Sequence, residues 1–139
     1  LSTYQDSYNF ILLALCIWRE ARGELYITKQ AVGYSIRNRV LNPGWWGKDW
    51  GTVVLQPYQY SSFNANDPNS HKMPYPDDQA WGDSLKVADE VMNNPQADLT
   101  HGAVNYFDCS LDTNPPRWAI DGSHVKTVDY GRLHFYRRA

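Results

Sequence analysis

Cysteine is scarce: Cys16 and Cys109 are the two in 139 residues. They stand far apart and belong to no CxxC or Cys/His spacing, so nothing suggests a thiolate zinc site. Cys16 lies inside an apolar helical segment, where a buried free thiol is the default. A Cys16–Cys109 disulfide stays open if the protein works outside the cytoplasm. Charge of one sign is equally scarce. The net charge is −2 with no block of like residues, which speaks against nucleic acid or an anionic membrane as the main partner. Long apolar runs are missing too. The longest, Phe10 to Trp18, falls far short of the roughly 20 residues that cross a bilayer, and no cleavable leader is legible. His71, His101 and His124 show no ligand spacing, so neither metal nor cofactor is expected. No repeat and no linker interrupts the chain, which reads as one domain over residues 1–139.

Aromatics, by contrast, are plentiful. Six Trp and ten Tyr exceed what a core of this size usually needs. A sugar-binding groove would use the surplus, because flat apolar faces stack on pyranose rings; a Trp-rich core would use it equally well.

Asp6 and Ser7 are good N-caps just before the apolar segment. Phe10, Leu13, Ala14, Ile17 and Glu20 then follow the i, i+3, i+4 rhythm, while Leu12, Leu15 and Trp18 cover another face. A helix apolar nearly all round is a central one, and Gly23 is its expected left-handed stop. Thr28 opens a second helix with Ala31, Val32, Ile36 and Val40 on one side, ending at Asn42-Pro43-Gly44. Trp45, Trp46 and Trp50 occupy a Gly-rich loop and either extend a groove or pack together. Asp77 or Asp78 caps a third helix bearing Trp81, Leu85, Ala88 and Met92. The last third changes character: "GAVNYF", Gly102 to Phe107, reads as a strand, Asn114 to Trp118 as an irregular turn, and two short strands surround Asp129-Tyr130-Gly131. Helices first and a small antiparallel sheet second indicate an α+β fold.

Glu20 breaks the pattern. It shares the stripe of Leu13 and Ile17, so its carboxylate points toward the core or a cleft floor, and it sits in the last helical turn, where the macrodipole is negative. Burial and dipole both favour the protonated form and raise its pKa; Glu24, four residues on, would add to that if close. A carboxylic acid held protonated is what a general acid requires. The plainer reading is a structural ion pair with an arginine, which would perturb the pKa just as well.

The surroundings sharpen the choice. "REARGE", Arg19 to Glu24, is followed by "QAVGYSIRNRV", Gln30 to Val40, then "VVLQPYQYS", Val53 to Ser61, then "GAVNYF" and finally "TVDYGRLHFYR", Thr127 to Arg137. In this order the segments resemble the SleB-like cell wall hydrolases, the spore-cortex-lytic family. Arg19 replaces a small residue common before the first Glu, Tyr60 stands where Phe is usual, and the Trp loop and the Asn64–Pro76 loop are not family features. The resemblance implies a compact lysozyme-like domain that acts on peptidoglycan glycan strands at the bacterial cell wall, in the periplasm or outside the cell. It implies lytic transglycosylation between N-acetylmuramic acid and N-acetylglucosamine, with Glu20 as the catalytic residue.

Glycoside cleavage normally takes two carboxylates, yet a transglycosylase manages with one, because the C6 hydroxyl of the same muramic sugar is the nucleophile at high effective concentration. For a hydrolytic muramidase instead, Glu24, Asp67 and Asp108 are the available second carboxylates. Gln59, Tyr60 and Ser61 are candidates to bind the sugar. Tyr106 and Phe107 alternate faces on a strand, so one of them should reach the cleft, and Tyr106 is the choice. His134 matches a family position, and Glu24 joins the binding candidates; Asn38 and Arg39 read as structural. The rivals are a non-catalytic peptidoglycan-binding module, a peptidase or amidase on the stem peptides, and an inactive virion component. The short length fits a bacteriophage enzyme of infection or lysis, an endolysin.

Overall fold

The structure is a computed structural model and describes residues 3–56, 60 and 66–139, the side chains of 69 and 70 excepted. Its first helix, α1 (Tyr4–Ala21), runs through the middle of the molecule, with Leu13, Ala14, Cys16 and Ile17 wholly buried. Leu13 and Ile17 each contribute about 1.5–3 kcal/mol by leaving water. The helix starts earlier than its composition suggests. Thr3, in an extended conformation, accepts the Asp6 N–H on its hydroxyl, and Asp6 lies in the first turn, where its charge meets the positive end of the dipole. Gly23 is not the left-handed stop: Arg22 stays right-handed at φ −60° and the Glu24 N–H bonds the Ala21 carbonyl. The chain therefore turns into α2 (Tyr26–Leu41) with hardly a pause. Leu25, which offers no side-chain cap, precedes that helix, and Thr28 is already inside it, fully buried.

A short α3 (Trp50–Val54) follows, closed by a reciprocal capping box between Asp49 and Thr52. Asp78 caps α4 (Gln79–Asn93) by accepting the Ala80 and Trp81 N–H groups. The inward stripe of α4 is Ser84, Val87, Ala88 and Val91; of the residues expected there only Ala88 is fully buried, and Trp81, Leu85 and Met92 flank the core half-buried. Gly33 makes the α2–α4 approach possible, since a Cβ there would stand 3.0 Å from Val87 Cγ1 and 3.1 Å from Val91 Cγ2.

The sheet is antiparallel in the order β1-β3-β2, built from β1 (Asn105–Asp108), β2 (His124–Tyr130) and β3 (Leu133–Arg138). It confirms the α+β arrangement. The first strand begins later than Gly102 because His101 and Gly102 both adopt positive φ, and the Asp98 carboxylate gathers the N–H groups of Thr100 and Gly102 there. Asn38 of α2 reaches into that corner, donating to Asp98 and to the Ala103 carbonyl, which is the backbone-fixing part read for it. Pro116 precedes a single helical turn, α5 (Arg117–Ile120). In the Trp loop, Trp46 is buried and donates to the Arg39 and Asn42 carbonyls, while Trp45 is exposed. Both thiols are free, Cys16 buried and Cys109 half-buried. Among the described residues no helix is long and apolar enough to cross a membrane.

Candidate active site

Glu20 occupies the last turn of α1, at the point where the helix leaves the core and meets the edge of the sheet. The side chain keeps partial exposure, yet its carboxyl is surrounded by protein, and that burial raises its pKa above the usual carboxylate value. Two further effects act on it: a hydrogen bond from Tyr106 opposes the rise, and the negative charge of Asp67 adds to it. Among the described residues Glu20 forms no ion pair with an arginine, so the structural-pair reading has no partner there.

The bond from Tyr106 Oη to Glu20 Oε1 is 2.6 Å. Tyr106 belongs to β1, paired with Phe135 of β3. Burial, with Glu20's charge next, lifts the phenol well above its ordinary range, so the hydroxyl remains a donor wherever the protein works. Tyr60, buried beside it, is raised likewise by burial.

Cavity space lies on both sides of the carboxyl. One cleft, about 450 Å³, is lined by Glu20, Tyr60, Tyr106, Phe107, Trp118 and Arg39 among others. A second, about 380 Å³, is lined by Glu20, Arg19, Arg22, Gly23, Glu24 and Arg132 with Asp108 and Leu133. Glu20, Asp108 and Leu133 border both, so the acid forms part of the wall of each hollow. The first side is aromatic, the second ionic.

Tyr106 and Phe107 both border the cleft, although residues alternate across a strand. The reason is topological: β1 is an edge strand, and a cleft running along an open edge touches both faces. Phe107 also stacks against Tyr136 and meets Trp118 edge-on. Arg39, read as structural, does hold backbone, donating to the Val104 carbonyl and to Asn105 Oδ1, but it forms part of the cleft wall as well. Trp118 and Asn105 were not singled out from the sequence; a Trp two residues after Pro115-Pro116 was the available signal for the first.

The other candidates fall in different places. Glu24 Oε1 accepts the Arg132 N–H at 2.8 Å, tying the β2–β3 turn to the end of α1, and its own carbonyl accepts from Lys29 Nζ. Asp108 binds Arg132 through both oxygens and accepts the Ser110 N–H; those bonds push its pKa down to about 2. His134 borders neither cavity. Its two ring nitrogens face Asp129 at 2.6 Å and Asp112 at 2.7 Å, and its pKa is raised by the first of these bonds and then the second. Gln59 and Ser61 lie outside the described residues. Among the described residues no group of His, Cys, Asp and Glu is arranged to hold a metal ion.

Comparison with known proteins adds to this geometry. Among curated proteins no match is found. The catalytic domain of the germination-specific lytic transglycosylase SleB from Bacillus anthracis superposes with a TM-score of 0.67 at 23% identity, over 91% of this chain and 92% of that one. The catalytic domain of the Bacillus cereus SleB protein gives 0.69 at 23%, over 91% and 88%. The Cell Wall Hydrolase family profile matches residues 23–136, a span that begins just beyond Glu20 and takes in both strands of the cleft wall and the turn that Glu24 holds. The chain belongs to the cell wall hydrolase family, with the fold of the SleB catalytic domains.

Proposed function

We propose that the protein is a lytic transglycosylase of peptidoglycan glycan strands, cleaving between N-acetylmuramic acid and N-acetylglucosamine with Glu20 as its single acid and base. The observation that carries the reading is the seat of Glu20: a carboxyl inclined by burial to keep its proton, lining each of two cavities. A strand laid through them would present one bridging oxygen to that proton. Glu20 protonates the bridging oxygen as the bond to C1 breaks, and the departing N-acetylglucosamine keeps the proton on its 4-hydroxyl. The ionised carboxylate, now favoured by the Tyr106 hydroxyl, takes the proton of the muramic C6 hydroxyl while that oxygen closes on C1. The acid is restored, a 1,6-anhydro ring is formed, and no water is consumed. Trp118, half-buried, supplies flat surface for the sugars on the aromatic side, and the buried Tyr60 and Phe107 form part of the wall there.

Hydrolysis would need a second carboxylate to activate water. Asp108 borders the same space, but its oxygens are committed to Arg132 and Ser110, and its low pKa makes it a poor base. Glu24 spends one oxygen on the Arg132 N–H. Asp67 is close enough for its negative charge to raise the Glu20 pKa. Digestion of purified sacculi followed by mass spectrometry of the released sugars tests the proposal. Anhydromuramic ends support it; muramic ends reducible by borohydride mean hydrolysis and overturn it.

A further inference from the structure

At the other end of α1, away from Glu20, the molecule carries a second groove, of about 650 Å³, between the first turns of α1 and α3. Gln5, Tyr8, Asn9, Asp49, Thr52 and Gln56 contribute to its lining. Asn9 and Glu20 are eleven positions apart on one helix, which separates them by about 16 Å along its axis.

Asn9 is the telling residue. It is only 9% exposed, an amide among the apolar residues that α1 otherwise buries. Its Oδ1 accepts from Gln5 Nε2 at 2.9 Å. Its Nδ2 has no protein partner among the described residues and is not sealed from the groove. A nearly buried donor left open to a cavity pairs with whatever polar group enters it, water or ligand. Gly51 also borders the groove, and a Cβ there would come within 3.3 Å of Asn9 Oδ1.

The rest of the lining narrows the occupant's chemistry. Two glutamine amides stand near the Asn9 donor, and Tyr8 is 52% exposed, a flat face at the rim. Among the described residues Asp49 is the one charged lining residue, with no lysine or arginine. A phosphorylated or carboxylate-rich ligand would face the Asp49 charge with no cation among them to offset it. A neutral chain bearing hydroxyl and acetamido groups meets amides, a carboxylate acceptor and an aromatic face.

We propose that this groove binds a stretch of N-acetylated glycan, holding the wall polymer at one end of α1 while another stretch occupies the Glu20 cleft. The choice of occupant rests on the glycan-cleaving reading above. Two sites fixed on one helix turn the second capture into an intramolecular event, which favours long polymer and gives nothing to a fragment too short to span them.

The Glu20→Gln protein, titrated with the tetramer of β-1,4-linked N-acetylglucosamine, provides the test by amide NMR. Shifts are expected at Tyr8, Asn9 and Thr52 as well as around the cleft, and Tyr8→Ala removes the first set alone. With Glu20 intact, Tyr8→Ala is expected to slow solubilisation of insoluble sacculi several-fold and leave turnover of a short soluble glycan unchanged. Gln56→Ala provides the same readings should Tyr8→Ala lose its fold. Shifts confined to the cleft, or an equal slowing on both substrates, would overturn the proposal. Tetramer shifts at Tyr8 and Asn9 in a protein whose wild type leaves sacculi intact would sustain this site and sink the enzymatic reading instead.

Discussion

The hydroxyl of Tyr106 donates to Glu20 Oε1 at 2.6 Å and favours the ionised carboxylate, against the burial that opposes it. Tyr106→Phe removes that counterweight, so the Glu20 pKa moves further up. An acid must hold its proton to act, and activity declines as pH rises through its pKa. The alkaline limb of the kcat profile is therefore expected at higher pH in Tyr106→Phe, with kcat itself reduced about tenfold or more, since a hydrogen bond to a charged group is worth about 1.5–3 kcal/mol. An unmoved limb would break the link between these two residues. The raised pKa also has a thermodynamic sign. Between the ordinary carboxylate pKa and the folded value, the folded state binds more protons than the unfolded one, so stability falls as pH climbs through that window. Glu20→Gln is expected to raise Tm at pH 7 by about 2–4 °C, roughly 1 kcal/mol, with the gain vanishing below the ordinary glutamate value of 4.5, while activity drops on the order of 10²–10⁴-fold. Thermal scans at both pH values check it. The stripe Leu13-Ile17-Glu20 made the acid legible from sequence alone. Its phenol partner was a choice between two strand neighbours, and alternation could not reveal that an edge strand offers both.

His134 shows how elements are fastened to each other. From β3 it bonds Asp129 on β2 and Asp112 in the segment after the 3-10 turn Cys109–Leu111; Lys126 pairs with Asp129 from the same strand, and Phe107 of β1 packs on the imidazole. Both ring nitrogens donate only when the imidazole is charged. Its pKa is raised on folding, so the contribution is fully present below the unfolded value of 6.5 and is lost as pH rises through the higher folded value. Partly exposed pairs contribute about 0.2–1 kcal/mol each, so His134→Gln is expected to cost about 1 kcal/mol at pH 6 and almost nothing at pH 9 in urea titrations; equal losses at both would contradict it. The β2–β3 turn makes a stricter demand. Gly131 has φ 56°, and a Cβ there would stand 2.5 Å from Glu24 Oε1. Gly131→Ala strains the turn by about 1–2 kcal/mol and pushes Glu24 off the Arg132 N–H, an expected total of about 2–3 kcal/mol by chemical denaturation. Element order was readable because apolar period changes from helical to alternating along the chain. Element ends were not, because caps are local bargains: Thr3 outcompeted Asp6 by being extended, and Asp98 delayed β1 by holding His101 and Gly102 in a left-handed corner.

At the scale of the whole molecule, three long helices and a three-stranded sheet leave a seam between them, and Glu20 stands in that seam, lining hollows of about 450 and 380 Å³. Motif order along the chain announced the family, whereas the seam itself depended on contacts between residues more than eighty positions apart, such as Glu20 with Tyr106, which no local pattern encodes. Room on both flanks of the acid sets the tempo of digestion. A blind pocket would admit only a chain terminus and nibble inward; a cleft that continued past Glu20, the proposed proton donor, would grip a strand by its middle. Size-exclusion chromatography of a timed digest is expected to record an early collapse in mean polymer length, with disaccharides lagging behind. Disaccharides appearing first, from strands otherwise full-sized, would mark an end-biting enzyme.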